Sequence, residues 1–321
     1  MAMIRVGVVR GGPGHEYEVS LKTGQSVLKY LAPEKYQTKD ILITRDGTWH
    51  LNGLETTPDR LTPQVDLIFN ALHGEYGEDG EIQALLDDLG IPYTGSGRLA
   101  SARAINKQLT KEALKESGLK MAEGLVVRSE DDIPVKIKEI FMKLAPPWII
   151  KPLDSGSSVG LAYALTVSQL AEAIIESLNY SDQTLVERYL RGKEATCGVV
   201  DNFRHHEFYA LPPIEIRKPE GHKIWNYEFK YNGQTAEVCP GNFTDEEKRE
   251  LAEASIKIHK ILGLRHYSRS DFIVNPKGVY FLEVNTLPGM TSESLLPKAL
   301  DAVGCSYPQF LDHVISLALE K

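Results

Sequence analysis

The sequence predicts an α/β protein: a parallel-sheet domain in the first hundred residues, then two regions of α+β character. Three observations carry that prediction. Short apolar runs at Met3 to Val9, Lys39 to Thr44 and Asp66 to Asn70 alternate with helical stretches, the pattern of repeated βα units around a parallel sheet. Glycine-rich breaks follow these runs, at Gly11-Gly12-Pro13-Gly14 and between His73 and Gly80, the place where such sheets collect ligand groups. Much later, residues 269–285 read as a β-hairpin with polar chemistry on one face.

Taken in order, the first strand stops at the glycines. The polar stretch His15 to Ser20 then leads into a helix through about Leu31. The glycine spacing is not Gly-x-Gly-x-x-Gly, so no dinucleotide fingerprint is supported. After the strand ending at Asn70, Glu81 to Leu89 reads as a helix and Ile91-Pro92-Tyr93 as a short strand before Thr94-Gly-Ser-Gly97. A helix from about Ser101 to Ser117, with Lys107 inside it, opens a second region. Strands follow at Gly124 to Arg128 and Trp148 to Pro152, separated by a helix capped near Ser129-Glu-Asp-Asp. A helix from Ser168 to Leu178 and a strand from Thr184 to Tyr189 close that region. From Gly192 onward the chain carries long strands, a polar aromatic loop at Arg217 to Gln234, a helix from Thr244 to Leu262, the hairpin, and closing helices at Ser294 to Val303 and Ser306 to Leu319. The boundaries drawn are 1–100, 101–190 and 191–321.

With 321 residues at 42% hydrophobic content, the chain can bury a core in each of two or three domains. A net charge of −8 argues against a general nucleic-acid or anionic-membrane binder. Cys197, Cys239 and Cys305 lack the paired spacing of zinc or redox motifs and read as reduced thiols. The start of the chain is too short and wrongly flanked for a signal peptide, and no apolar run reaches membrane-spanning length. A cytoplasmic protein is expected, with no nucleic-acid or membrane partner.

The hairpin carries the most chemistry. Pro276-Lys277-Gly278 reads as a three-residue bulged loop. If Asn275 pairs with Val279, Asp271 lies opposite Glu283 and Arg269 opposite Asn285, all on one face. Ser270, Phe272, Val274, Tyr280, Leu282 and Val284 then form the core face. Two facing carboxylates repel and call for a cation between them. Asp271, Glu283 and Asn285 offer the hard oxygen ligands that magnesium prefers.

Other stretches carry weaker signals. Asp154-Ser-Gly-Ser-Ser-Val-Gly160 follows a strand ending in Lys151 and suits backbone N–H contacts to phosphate, although an ordinary turn reads equally well. Lys151, ending an apolar strand, needs an anionic partner or an escape to solvent; Lys107 is a second candidate point charge. Glu187, Arg188, Leu190 and Glu194 straddle the junction of the second and third regions, a common ligand cleft. His73 sits on a ligand-facing loop as a base, a donor or a structural group. Lys230-Tyr231 ends an aromatic-rich polar run with the composition of a water-excluding lid. No His-Glu-x-x-His zinc pattern occurs.

Together these motifs resemble the D-alanine–D-alanine ligase family of the ATP-grasp superfamily. The resemblance runs nearly end to end: Gly11-Gly12 with His-Glu-x-Glu-Val-Ser20, Ala-Leu-His-Gly-x-x-Gly-Glu-Asp-Gly80, Tyr-Thr-Gly-Ser-Gly97, Lys151-Pro with Gly-Ser-Ser-Val-Gly160, Lys230-Tyr231 with Cys239-Pro240, and Glu283-Val-Asn-Thr-x-Pro-Gly-Met-Thr-Ser292. It implies a three-domain ATP-grasp fold and ligation of two D-alanines through a D-alanyl phosphate, with ATP as co-substrate, for peptidoglycan precursors. It further implies two magnesium ions per site, replaceable by manganese, held by Asp271, Glu283 and Asn285, and a homodimer. By the same resemblance Lys107, Lys151 and Lys230 contact phosphates, with Ser157 in the phosphate loop. Glu187, Arg188, Leu190 and Glu194 contact adenine and ribose, and Arg269 with the Gly289 N–H stabilises the tetrahedral oxyanion. Glu16 holds the first D-alanine's ammonium in a triad with Ser157 and Tyr231. Ser294 and the Leu295 N–H take the second carboxylate, and His73 lies beside both amino acids. Gly14 departs from the family's usual serine. Intact Lys230-Tyr231 favours an amino-acid acceptor, while a D-serine or D-lactate acceptor and a non-catalytic nucleotide-binding regulator remain the alternatives.

Overall fold

The computed structural model describes residues 3–154, 160–218 and 236–320. Its first sheet holds β1 (Ile4–Gly11), β2 (Tyr36–Ile43), β3 (Trp49–Leu51), β4 (Leu54–Thr56) and β5 (Leu67–Asn70) in the order β4-β3-β2-β1-β5. As expected, β1 pairs in parallel with β2 and with β5, and β1 is buried enough to need helices on its faces. Helices α1 (Tyr17–Tyr30) and α2 (Glu81–Asp88) lie close to the expected spans. The antiparallel β3–β4 hairpin was not expected, although its signal is present: Leu51 pairs with Leu54 across Asn52-Gly53, both at positive φ, the two-residue turn that Asn-Gly specifies. Conversely, Ile91-Pro92-Tyr93 is not a strand but a single parallel bridge, Tyr93 to Ile68.

The helix expected at Ser101 to Ser117 is two helices, α3 (Arg98–Ile105) and α4 (Lys107–Leu114). Asn106 between them is extended, and its side chain accepts the N–H groups of Gln108 and Leu109, satisfying two donors that a helix start leaves unpaired. The break makes Lys107 the first residue of α4 rather than a mid-helix residue, and its N–H donates to Leu153 O at 3.1 Å. Strand β6 (Lys120–Met121) then joins the distant third sheet. The second sheet is antiparallel, with β7 (Gly124–Arg128), β8 (Trp148–Pro152), β9 (Ala162–Ala164) and β10 (Gln183–Arg188) in the order β7-β10-β8-β9. Helices α5 (Ile133–Lys143) and α6 (Val167–Ser177) cover it, packing Ile140, Leu170 and Ile174 onto Val127, Trp148 and Val186. With that face filled by the helices, the polar residues of β8 and β10 are left to the other side.

The third sheet contains β11 (Lys193–Phe203), β12 (His206–Ala210), β13 (Ile214–Arg217), β14 (Ala236–Val238), β15 (Tyr267–Asn275) and β16 (Gly278–Asn285), in the order β14-β13-β11-β15-β16-β6 with β12 beside β11. Helix α7 (Asp245–Leu262) starts in a capping box of Thr244 and Glu247 and stops at left-handed Gly263. It packs Leu251, Ile258 and Leu262 against Phe272 and Phe281. The closing helices α8 (Leu295–Ala302) and α9 (Tyr307–Leu319) return to the first sheet, where Phe310, Leu311 and Val314 share one core with Val6, Val8 and Phe69. The two ends of the chain are therefore one packed unit, and the loop after β16 runs between the first and third sheets.

The hairpin of β15 and β16 corrects the expected turn. Asn275 pairs with Gly278, so the loop is Pro276-Lys277, and the Asn275 side-chain oxygen accepts the Lys277 N–H. This shifts the register by one, and the core face carries Phe272, Val274, Val279, Phe281 and Val284 instead of Tyr280 and Leu282. A bulge at Asp271/Phe272, where Leu282 is the extra residue on β16, then cancels the shift. Asp271 ends opposite Glu283 and Arg269 opposite Asn285. The expected pairing at the chemical end is thus reached by a different route.

Candidate active site

Polar residues of the second sheet meet those of the third in a buried charge cluster. Glu187, only 3% exposed, lies opposite Ile149 on the strand next to Lys151. Its carboxylate is gripped by Lys151 at 2.7 Å and by Lys111, which also donates to Ala122 O at 2.8 Å. Lys107 reaches Glu283 at 3.7 Å. Burial would raise the Glu187 pKa, but Lys151 and then Lys111 outweigh it and hold the carboxyl below its ordinary range. Burial likewise works against the charge of Lys151, yet Glu187 and Glu283 keep that ammonium above its usual value. For Lys107 and Lys111 burial prevails and the pKa falls. A buried cluster of three ammonium groups offers short-range charge to anionic oxygen.

On β15 and β16 the second part of the site assembles. Arg269 grips Asp271 with Nε at 3.1 Å and Nη2 at 3.2 Å. Burial opposes the guanidinium charge, but Asp271 and, more weakly, Glu283 and Glu78 raise its pKa further. Asn285 donates its amide to Asp271 at 3.2 Å, and Thr196 on β11 donates its hydroxyl to the same carboxylate at 2.5 Å. With its NH₂ so used, the Asn285 carbonyl is the oxygen left to face a ligand. Among the described residues no three His, Cys, Asp or Glu side chains form a metal cage. Asp271, Glu283 and Asn285 instead give two carboxylates and an amide, a hard oxygen set that leaves coordination positions for phosphate.

A third part lies where the first sheet's loops approach the loop after β16. Glu16, 9% exposed at the start of α1, sits against Gly74, where a Cβ would fall 2.3 Å from its Oε2. His73 is buried between the Thr23 hydroxyl at 2.7 Å and Leu287 O at 2.8 Å. Ser294 precedes α8 without capping it and shares its hydroxyl with Thr291, while Leu295 is buried in the first turn. Gly289 packs so closely on Ser294 that a Cβ would lie 2.8 Å from its Oγ. Gly14 is pressed on Glu75, with a Cβ position 3.0 Å from Glu75 O, so a serine there would be tight.

Glu194 on β11 pairs with Lys218 at 2.7 Å; Arg188 closes β10 in an exposed position, and Leu190 follows it, partly buried. Ser157, Lys230 and Tyr231, and with them the expected triad and lid, lie outside the described residues.

The family described as D-ala D-ala ligase C-terminus matches residues 113–316, and its N-terminal counterpart matches residues 5–61 and 52–96. The D-alanine--D-alanine ligase of Syntrophobacter fumaroxidans is 37% identical over 318 residues, covering 99% of this chain and 98% of that one. The chain belongs to the D-alanine–D-alanine ligase family. Its architecture is the ATP-grasp fold of that family. The VanG D-Ala:D-Ser ligase from Enterococcus faecalis superposes with a TM-score of 0.87 at 28% identity, over 99% of this chain and 100% of that one. The D-alanine-D-alanine ligase from Coxiella burnetii gives 0.85 at 25% identity, over 100% and 95%.

Three side chains in this ligase-family site escaped the sequence reading. Lys111 had a signal: it lies four residues after Lys107, on the same face of a helix. Glu78 sits inside the glycine-rich loop already singled out, where two other acids, Glu75 and Asp79, compete for attention. Thr196 had none, because it acts from a neighbouring strand whose register only the folded sheet sets.

Proposed function

We propose that the chain joins two D-alanines through a D-alanyl phosphate, with Mg²⁺ held by Asp271, Glu283 and Asn285. Family membership makes it an ADP-forming, ATP-dependent D-alanine–D-alanine ligase of peptidoglycan precursor synthesis. The pairing of Asp271 with Glu283 beside Arg269 carries the mechanistic reading. Lys107, Lys151 and, outside the described residues, Lys230 neutralise phosphate charge. Glu187, Arg188, Leu190 and Glu194 border the nucleotide. The divisions at 100 and 190 remain part of this proposal, as do a homodimer and a cytoplasmic location; no described helix is long and apolar enough to cross a membrane.

A carboxylate is a poor electrophile, so its activation comes first. The first D-alanine's carboxylate oxygen attacks the γ-phosphorus of ATP and ADP departs, a step catalysed by positioning and charge neutralisation. When bound, magnesium supplies further neutralisation of phosphate charge. Glu16 holds the ammonium of that D-alanine. The second D-alanine, its carboxylate near Ser294 and the Leu295 N–H at the start of α8, attacks the acyl carbon with its neutral amine. Arg269 and the Gly289 N–H stabilise the oxyanion, phosphate leaves with the acyl C–O bonding pair, and the amine proton is lost.

The direct test is an ADP-release assay with D-alanine and mass analysis of the product. ADP release with D-serine or D-lactate as acceptor, and none with D-alanine alone, would overturn the acceptor assignment. Arg269→Lys should lower kcat by roughly 10²-fold, because an ammonium cannot reproduce the two-point grip on Asp271 while facing an oxyanion; steady-state kinetics check it. Nucleotide binding should also take up protons. Burial depresses the Lys107 pKa in the free chain and an adjoining phosphate would raise it, so affinity should rise as pH falls between the two values. Titration calorimetry in buffers of different ionisation enthalpy reads this directly; proton release would contradict it.

A further inference from the structure

We infer that Glu78 is a positioning residue for the ligation, fixing the Thr286–Leu287 backbone that joins the Asp271 partner Asn285 to Gly289. This goes beyond the residues assigned above and rests on the ligase reading for its catalytic half. One carboxylate oxygen, Oε2, accepts three donors at 2.9 Å: the Thr286 N–H, the Thr286 hydroxyl and the Leu287 N–H. The other, Oε1, accepts the Gly74 N–H at 3.0 Å. Only an acceptor-only group can satisfy all four donors. Glu78 thereby ties the loop that carries Glu16's neighbour Gly74 to the loop that follows β16.

His73, five residues earlier, completes the grip. Leu287 O can only accept, so the His73 Nδ1 at 2.8 Å carries its proton, while Nε2 shares a hydrogen bond with the Thr23 hydroxyl at 2.7 Å. The N–H and the C=O of Leu287 are therefore both held by one loop of the first sheet, across more than 200 residues of sequence. Both His73 nitrogens are occupied, which makes this residue a splint rather than a free base.

The loop holding Glu78 is itself rigid. Gly77 O accepts from Gln83 at 2.7 Å and from Asn70 at 3.4 Å, and a Cβ at Gly77 would lie 2.7 Å from Leu72 Cβ. Glu78 also lies within Coulombic reach of Arg269. Misplacing reacting groups by about 1 Å can cost 10²-fold in rate, and a clamp on the two residues after Asn285 controls displacements of that size.

The test compares the full-length wild-type chain with Glu78→Gln and Glu78→Ala. Glutamine keeps one acceptor oxygen but presents an NH₂ to one of the two donor groups, so its defect should be the smaller. We expect kcat for D-alanyl-D-alanine to fall roughly 100-fold in Glu78→Ala, with the KM for ATP within about twofold. Without substrates, amide hydrogen exchange at Thr286 and Leu287 should accelerate in both variants while exchange in β1 and β15 stays as in wild type. Wild-type-like exchange at those two amides, or an unchanged kcat in an active enzyme, would overturn the inference. So would a raised KM for ATP with unchanged kcat, or acceleration spread over the whole chain, the mark of a merely structural role. Lack of dipeptide from the wild-type chain would instead remove the ligase reading, and the catalytic half of the inference with it, whatever the exchange pattern.

Discussion

Glu283→Ala should abolish Mg-ATP turnover without unfolding the chain. Glu283 stands on β16 directly opposite Asp271, and its side chain is 30% exposed, so removing it leaves no large cavity. What it removes is one of the two carboxylates proposed to hold the metal, together with the anion that faces Lys107 at 3.7 Å. Two effects then act in the same direction: the hard oxygen set drops to Asp271 and Asn285, and a buried ammonium loses a partner. Steady-state ADP release at saturating magnesium, with circular dichroism as the control for folding, decides it. Near-wild-type turnover would remove Glu283 from the metal assignment. Glu283→Gln sharpens the experiment, since it keeps the shape and withdraws only the charge.

The largest loss of stability should come from Glu187→Ala. The carboxylate is 3% exposed and is held between Lys111 and Lys151, themselves largely buried. Breaking a buried ion pair by deleting one partner costs about 3–5 kcal/mol, because an uncompensated charge stays behind. With a second lysine on the same carboxylate, the upper part of that range is expected. Denaturant unfolding measures it, and a change under about 1 kcal/mol would show that water reaches both ammonium groups. The pH dependence has a definite sign. The Glu187 carboxyl titrates below its ordinary value in the folded chain, so its stabilisation is present above the ordinary carboxylate range and is lost as pH falls through the folded value. The gap between wild type and Glu187→Gln should therefore narrow in acid. Replacing Glu187 and both lysines together by apolar residues should cost less than Glu187→Ala alone, since no unpaired charge remains.

Much of the site was legible in the chain. Arg269, Asp271, Glu283 and Asn285 could be placed on one side of a hairpin because side chains alternate along a strand and a short loop fixes the pairing. Even so, the pairing came out as expected only because two departures cancel: Pro276-Lys277 makes a tighter turn, and the bulge at Leu282 restores the register. Lys151 could be singled out as a phosphate candidate from its place at the end of an apolar strand, with Lys107, inside an expected helix, as a second point charge. That Lys111 and Lys151 share Glu187 could not, since Lys111 and Glu187 lie 76 residues apart. Some misses were local and readable. Asn52-Gly53 marked the β3–β4 turn, and Asn106 marked the break before Lys107.

The sequence by itself determined most of the helix and strand spans, the place of the glycine-rich loops and the ligase-family resemblance. These follow from periodicity, caps and motif order, which are properties of neighbouring residues. Only the tertiary structure decided how α8 and α9 close on the first sheet, where the hairpin bulges, and which residues hold Asp271 and the Thr286–Leu287 backbone. Glu78 reaches Thr286 and Leu287 across 208 and 209 residues, and Thr196 meets Asp271 through the pairing of β11 with β15. Contacts of that kind leave no periodic trace in the chain, because their partners become neighbours only when separate elements pack.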